Sequence, residues 1–241
     1  MSCQTIKKVS KGFRPSLKDI IVNPYYIARK GLYESIKECS KYIKGKVLDV
    51  GCGNKPYQHL FDYSDYIGLD YDKGGSNSNP NADYLYDGTR FPFDRSTFDA
   101  CISTQVFEHV FEPDEFLIEV NRVLKADGVL LMTVPFVWDE HEQPFDYARY
   151  SSFGLASLLE KHGFKILIQI KSINDVRVVF QLINTYISKV TMNNKNNYIK
   201  FVLTTLLFFL VNVVGSIICR ITPANNDLYL DNVIVARKEG V

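Results

Sequence analysis

The chain has 241 residues, 46% of them apolar and 23% charged, and a net charge of +1. That length can bury a core without disulfides or a structural metal, and the balance excludes both wholesale disorder and a general polyanion binder. The five cysteines (3, 39, 52, 101 and 219) form no CxxC pair, which excludes a zinc ribbon and suits a reducing compartment.

The small net charge hides a strong asymmetry. Residues 1–46 hold eleven basic and three acidic residues (+8), whereas residues 47–175 hold ten and twenty-one (−11). Residues 176–222 carry five basic residues and no acidic one, and residues 223–241 come to −1. An acidic body flanked by basic segments points to several units and to an anionic partner for the flanks. Residues 1–20 carry no apolar run of secretory type, so a cytoplasmic location is expected.

In chain order, residues 1–23 read as a basic arm, and an irregular helical face runs from Pro24 to about Lys44. The apolar run Val47-Leu48-Asp49-Val50, with glycines at 51 and 53, predicts a strand and a tight turn. Tyr66–Asp70 reads as a second strand, Asp72–Ala82 as a polar loop, and further strands fall near Ala82–Tyr86 and Phe98–Ser103. Pro113 opens a helix whose apolar positions run to Lys125, with a stop at Asp127-Gly128. Val129–Val134 is a buried strand, Phe153–His162 a helix closed by Gly163, and Lys165–Ile170 another strand. Strands and helices alternating over short links predict a doubly wound α/β sheet, mostly parallel.

Such sheets bind ligands at the carboxyl ends of their strands. Asp49-Val50-Gly51-Cys52-Gly53 is the first such end, and Asp70 closes the next strand, where a carboxylate accepts both hydroxyls of a ribose. A nicotinamide cofactor fits poorly: the third glycine of its fingerprint falls on Pro56, and Asp49 would repel a pyrophosphate. An ammonium or sulfonium cation suits that acidic turn.

Leu48–Gly53, Gly68-Leu69-Asp70, Ala82-Asp83 through Asp87, Phe91-Pro92-Phe93, Ser96-Thr97-Phe98-Asp99, Glu108-His109-Val110 and Arg122–Gly128 occur in this order. Together they resemble the class I S-adenosylmethionine-dependent methyltransferases, the type 11 domain in particular, over about residues 46–170. The resemblance implies a seven-stranded Rossmann-like sheet and S-adenosylmethionine as cofactor. It implies that Asp49, Gly51 and Gly53 line the methionine moiety and that Asp70 binds the ribose. Asp87 and Gly88 would flank the adenine, and Thr104-Gln105 would cover the methionine side. Asn54-Lys55-Pro56-Tyr57 departs from the commoner glycine-rich continuation.

Val134–Tyr150 follows the fifth strand and concentrates the single Trp, a His and several carboxylates over the crevice. Methyl transfer to a hydroxyl needs a positioned acceptor and a base for its proton. His141 is the expected base, oriented by Glu142 or Asp146; no HExxH is present and no metal is expected. The stretch is also similar to one found in methyltransferases of bacterial surface-polysaccharide gene clusters, which implies a sugar or lipid-linked glycan as acceptor. A lipid or quinone acceptor, and a non-catalytic membrane assembly role, are the alternatives.

Residues 176–222 exceed a minimal α/β core. Val176–Val190 has helical apolar spacing, Met192–Asn197 is a polar turn, and Phe201–Cys219 is uncharged. That run is long enough to span a bilayer, yet Leu228–Arg237 reads as the last, antiparallel strand, so the chain must return to the same side. The expectation is a peripheral or monotopic hairpin on the inner membrane face, or a homodimer interface, and no nucleic-acid partner. The units expected are residues 1–45 (arm and helix), 46–175 (core), 176–222 (insertion) and 223–241 (final strand).

Overall fold

A computed structural model describes residues 13–72, 79–192 and 198–240. The first half of the basic arm, most of the polar loop after the second strand and the polar turn at 193–197 lie outside the described residues.

Seven strands form one sheet: β1 (Lys44–Val50), β2 (Asp62–Tyr71), β3 (Tyr84–Tyr86), β4 (Phe98–Thr104), β5 (Leu124–Pro135), β6 (Phe164–Ser172) and β7 (Asp231–Lys238). Their order is β3-β2-β1-β4-β5-β7-β6. β7 runs antiparallel to both neighbours, and the other pairs are parallel. The chain works outward from β1 to β3 and then returns to β4, so the switch point lies between β1 and β4.

Among the described residues, six α-helices accompany the sheet: α1 (Asp19–Val22), α2 (Tyr26–Cys39), α3 (Pro113–Val123), α4 (Ser152–Lys161), α5 (Arg177–Met192) and α6 (Tyr198–Ile218). On one face α3 and α4 bury Phe116, Leu117, Val120, Leu155 and Leu159 against Leu48, Val50, Leu130 and Met132. On the other, α2 buries Leu32, Ile36 and Cys39 against Val47, Ala100, Ile102 and Leu131. Fully burying one such aliphatic side chain stabilises by about 1.5–3 kcal/mol.

Several boundaries depart from the sequence-based expectation, among them β2, which begins at Asp62 and not at Tyr66, and α2, which ends at Cys39. α3 stops at Val123, and β5 begins at Leu124, which pairs with Phe98. Leu124 is buried whether it ends the helix or opens the strand, so periodicity does not tell the two apart. β7 begins at Asp231 because Tyr229 turns aside to stack on Phe136 and to donate to Asn232. β1 begins at Lys44, before an irregularity of register at Gly45/Lys46.

Candidate active site

At the carboxyl end of β1 the chain turns through Gly51 (φ 69°) and Gly53 (φ 49°), a region that L side chains avoid. A Cβ on Gly51 would stand 2.3 Å from Val106, whereas one on Gly53 would meet nothing within 4 Å. The turn is pinned to β2 by Gly51 and Cys52 N–H groups donating to the Leu69 carbonyl. Asp70, next along β2, accepts from Gly53 N at 3.3 Å and from Asn79 Nδ2 at 2.6 Å. Asn79 also donates to the Gly53 carbonyl at 2.6 Å, closing a small ring around the open glycine.

Asp49 is 4% exposed and accepts from Tyr66 Oη at 2.6 Å. Burial pushes its carboxyl up to about 7 in spite of that hydrogen bond. Lys55, the cation nearest this turn in sequence, is bound to Asp83, which also accepts from Gly68 N. The edge is therefore acidic, and Lys55 is not free to meet a pyrophosphate there.

Asp87 is exposed and accepts from the backbone and hydroxyl of Thr89, and Gly88 (φ 91°) lies against Tyr71. Thr104 ends β4, and Gln105 (φ 55°) returns two hydrogen bonds to Thr133 of β5 through its backbone N and its side chain.

Beyond Gln105 a short helical turn (Phe107–His109) puts a second group of residues on the same edge. His141, in the loop after β5, has Nδ1 at 3.2 Å from both Asp139 O and Asp146 Oδ2. Asp146 also accepts from His141 N at 2.9 Å, and Arg149 grips it with two guanidinium nitrogens at 2.6 and 2.7 Å. That guanidinium holds the Asp146 carboxyl down to about 2, so it is an anion at neutral pH. Glu142 takes no part: it is exposed, with its backbone at φ 49°.

His109 and His141 meet edge to face at 4.8 Å between ring centroids. Both place Nε2 at 3.9 Å from Oε1 of Glu108, a fully buried carboxyl with no hydrogen-bond partner on either oxygen. Burial raises Glu108 to about 8. The loop is hooked over it, since Tyr147 N and Ala148 N donate to the Glu108 carbonyl.

Residues 48–132 match the family described as "Methyltransferase domain". That span, about a third of the chain, is similar to a methyltransferase domain. A protein of Mycolicibacterium smegmatis described as a probable S-adenosylmethionine-dependent methyltransferase is 29% identical over 133 residues, 50% of this chain and 52% of that protein. The chain thus spans about half the length of the curated relative it matches. Among solved structures, the [4+2]-cyclase SpnF superposes with a TM-score of 0.56 at 18% identity, covering 90% of this chain and 83% of that one. An S-adenosylmethionine-dependent methyltransferase from Mesorhizobium loti gives 0.53 at 12% identity, covering 86% and 98%. These likenesses establish the class I methyltransferase fold. One of the neighbours being a cyclase shows that chemistry must be argued from the site itself.

S-adenosylmethionine is the cofactor that these likenesses support, and the residues present fit it. Two carboxylates and an open glycine backbone suit a ligand with an ammonium, a sulfonium and a ribose diol. The resemblance quoted Glu108-His109 without giving them a part in the site. Their position directly after β4, at the ligand edge of a doubly wound sheet, was the available signal. Asp231, buried beside Ser172 at 2.6 Å and raised to about 6 by that burial, carried no signal, because its strand reads as ordinary core.

Proposed function

We propose that the chain is an S-adenosylmethionine-dependent methyltransferase acting on a hydroxyl of a sugar or lipid-linked glycan at the cytoplasmic face of a membrane. The observation that carries this reading is the presence, on one sheet edge, of an acidic glycine turn and a histidine whose Nδ1 is held by an anion. Asp49, Gly51 and Gly53 would line the methionine moiety, Asp70 the ribose, Asp87 and Gly88 the adenine, and Thr104 and Gln105 the methionine side. Residues 46–175 with 223–241 would be the catalytic core, and 1–45 and 176–222 its flanks.

When bound, S-adenosylmethionine supplies a methyl carbon on a positively charged sulfur that leaves as a neutral thioether. The chain's work is to place the acceptor oxygen and take its proton. Carbonyl and carboxylate oxygens only accept, so His141 Nδ1 carries its hydrogen and Nε2 is free to receive the acceptor's proton. Asp146, kept anionic by Arg149, stabilises the imidazolium that results. The exposed rings of Phe111 and Tyr147, 5.1 Å apart beside this cluster, offer an apolar platform for an acceptor ring.

The membrane part rests on α5 and α6. α5 buries Val178 and its polar residues Gln181, Asn184, Thr185 and Ser188, and exposes Val179, Ile183 and Val190 at 41–55%. α6 adds Leu203, Leu206, Leu210 and Ile217 at 49–61%. An apolar patch of this kind needs a covering partner. Among the described residues no helix is long and apolar enough to cross a membrane. The return of the chain to β7 of the same sheet favours surface attachment, with the basic residues near anionic headgroups. Lys189 of α5 pairs with Asp139 and donates to the Glu140 carbonyl, tying the hairpin to the acceptor loop.

Donor turnover against a panel of sugar nucleotides, lipid-linked glycans and quinones tests the acceptor, and quinone turnover alone would replace the sugar reading. Calorimetry on Asp70→Ala should show donor affinity weakened about ten- to a hundredfold, as for one lost charge-assisted hydrogen bond; unchanged affinity sinks the donor assignment. Flotation with anionic liposomes tests attachment, and a soluble dimer that ignores vesicles would give the apolar face to a twin subunit.

A further inference from the structure

We propose that Glu108, His109 and His141 form a binding site for one divalent transition-metal ion of the zinc type, with a free coordination position for an oxygen of the acceptor. The identity of that oxygen rests on the function proposed above; the ion site itself does not. One ligand atom from each of the three residues lies within 4.8 Å of the others.

The first argument is Glu108. Its carboxyl is completely buried, and neither oxygen has a hydrogen-bond partner. Leaving such a group unpaired is costly, and native proteins do so where a ligand completes the arrangement. Oε1 stands 3.9 Å from both histidine Nε2 atoms, too far for direct hydrogen bonds and wide enough for something to sit between.

The second argument is the state of the rings. His109 Nδ1 is 2.8 Å from the Phe145 carbonyl, which only accepts, so Nδ1 carries the hydrogen. His141 Nδ1 is fixed in the same way by the Asp139 carbonyl and Asp146. In its neutral form each ring therefore turns an Nε2 lone pair toward the same buried carboxyl. A ring nitrogen hydrogen-bonded to carbonyl or carboxylate behind each ligating nitrogen is how metal-binding histidines are oriented, and here both outer partners are in place.

The donor set selects the ion. Two imidazoles and one carboxylate suit zinc and its first-row neighbours, whereas magnesium and calcium prefer oxygen alone. An ion about 2.1 Å from each donor in a tetrahedral arrangement sets the donors about 3.4 Å apart, so Glu108 and the rings draw in from 3.9 Å by about half an ångström, and the widest pair, within 4.8 Å, by up to about 1.4 Å. The side chains are 0%, 17% and 30% exposed for Glu108, His109 and His141, so the site is closed behind and open on one side. Three protein ligands with an open position is the catalytic arrangement, not the structural one. An acceptor hydroxyl bound there would form an oxygen–metal bond and lose its proton to a solvent water, becoming a nucleophile at neutral pH. With the ion bound, His141 is a ligand and no longer the base.

The test uses the full, tag-free chain, stripped with chelator and dialysed. Titration with Co²⁺, followed by its visible d–d bands, and with Zn²⁺, followed by calorimetry, should give one ion per chain and a rise in melting temperature. His141→Ala, and Glu108→Gln with its near-identical shape, should weaken binding by about ten- to a hundredfold while both variants still melt cooperatively. Wild-type protein that takes up no ion, or variants that bind as wild type does, would overturn the site. Full turnover of stripped protein in excess chelator would overturn the ion's part in holding the acceptor and return the base to His141. Calorimetry with S-adenosylmethionine on stripped protein separates the two readings, since the glycine turn does not involve these three residues. Donor binding without metal binding defeats the ion alone, and metal binding without donor binding defeats the methyltransferase reading alone.

Discussion

Replacing Asp49 with Asn should make the free protein gain stability relative to wild type as pH rises, while weakening its hold on the donor. In the folded state the carboxyl holds its proton to about 7, against an ordinary value of 3.8. A folded value above the unfolded one means that stability is full below about pH 4 and is lost as pH rises through about 7. About three pH units at 1.36 kcal/mol each give about 4 kcal/mol for the whole window, of which roughly 2–3 kcal/mol falls between pH 5 and pH 8. Asn does not titrate, so its variant escapes this loss. Its amide must still be satisfied beside Tyr66, but that cost is the same at both pH values and cancels. Urea denaturation of the two proteins at pH 5 and pH 8 should therefore show Asn gaining on Asp by about 2–3 kcal/mol across the interval. A difference that stays constant with pH, or moves the other way, would mean that Asp49 is already ionised in the free protein. A cationic donor favours the ionised form, so donor binding to wild type at pH 6 should release protons, read as a binding enthalpy that changes with the buffer's ionisation enthalpy. Asp49→Asn should release none and bind donor at least tenfold more weakly.

Tyr66→Phe removes the hydroxyl that steadies the Asp49 anion, so donor affinity should fall about tenfold at pH 7 and recover toward wild type at pH 9, by calorimetry. His141→Ala should lower kcat by about 10²–10⁴ with donor affinity unchanged; wild-type turnover would make the residue structural. Arg149→Lys gives up the two-pronged grip on Asp146, and should lower kcat about tenfold while leaving donor affinity alone. Gly215→Val pushes a side chain into Phe180, which stands 2.8 Å from where a Cβ would sit, and should cost about 1–3 kcal/mol in denaturant melts.

The acidic glycine turn was legible because it is local: Asp49, Gly51 and Gly53 lie within five residues, and Asp70 ends the next strand. Glu108, His109 and His141 are different. They meet only because two loops, one after β4 and one after β5, fold over the same edge, and nothing in their spacing says so. His141 with Asp146 was within reach of sequence, being one loop; Glu142, adjacent in sequence, was drawn in by proximity along the chain, which in a loop says nothing about direction. The start of β5 was hidden because an apolar residue is welcome in either element. The apolar spacing of α5 announced a stripe, but a stripe does not say which way it faces.

That facing has a consequence of its own. Gln181 holds Pro24 O and Ala28 N of α2's approach, Asn184 meets Asn212 across the hairpin, and Asn212 reaches the carbonyls of Ile20 and Asn23. Each bond has a designated partner on a different segment, so together they lock the azimuth of both helices like keys in slots. Rolling α5 to hide Val179, Ile183 and Val190 would strand several buried amides at once, at about 1–3 kcal/mol apiece. The greasy outer surface is therefore not a helix caught in a poor orientation that water could correct. It is the setting the inner amides enforce, whether or not anything covers it.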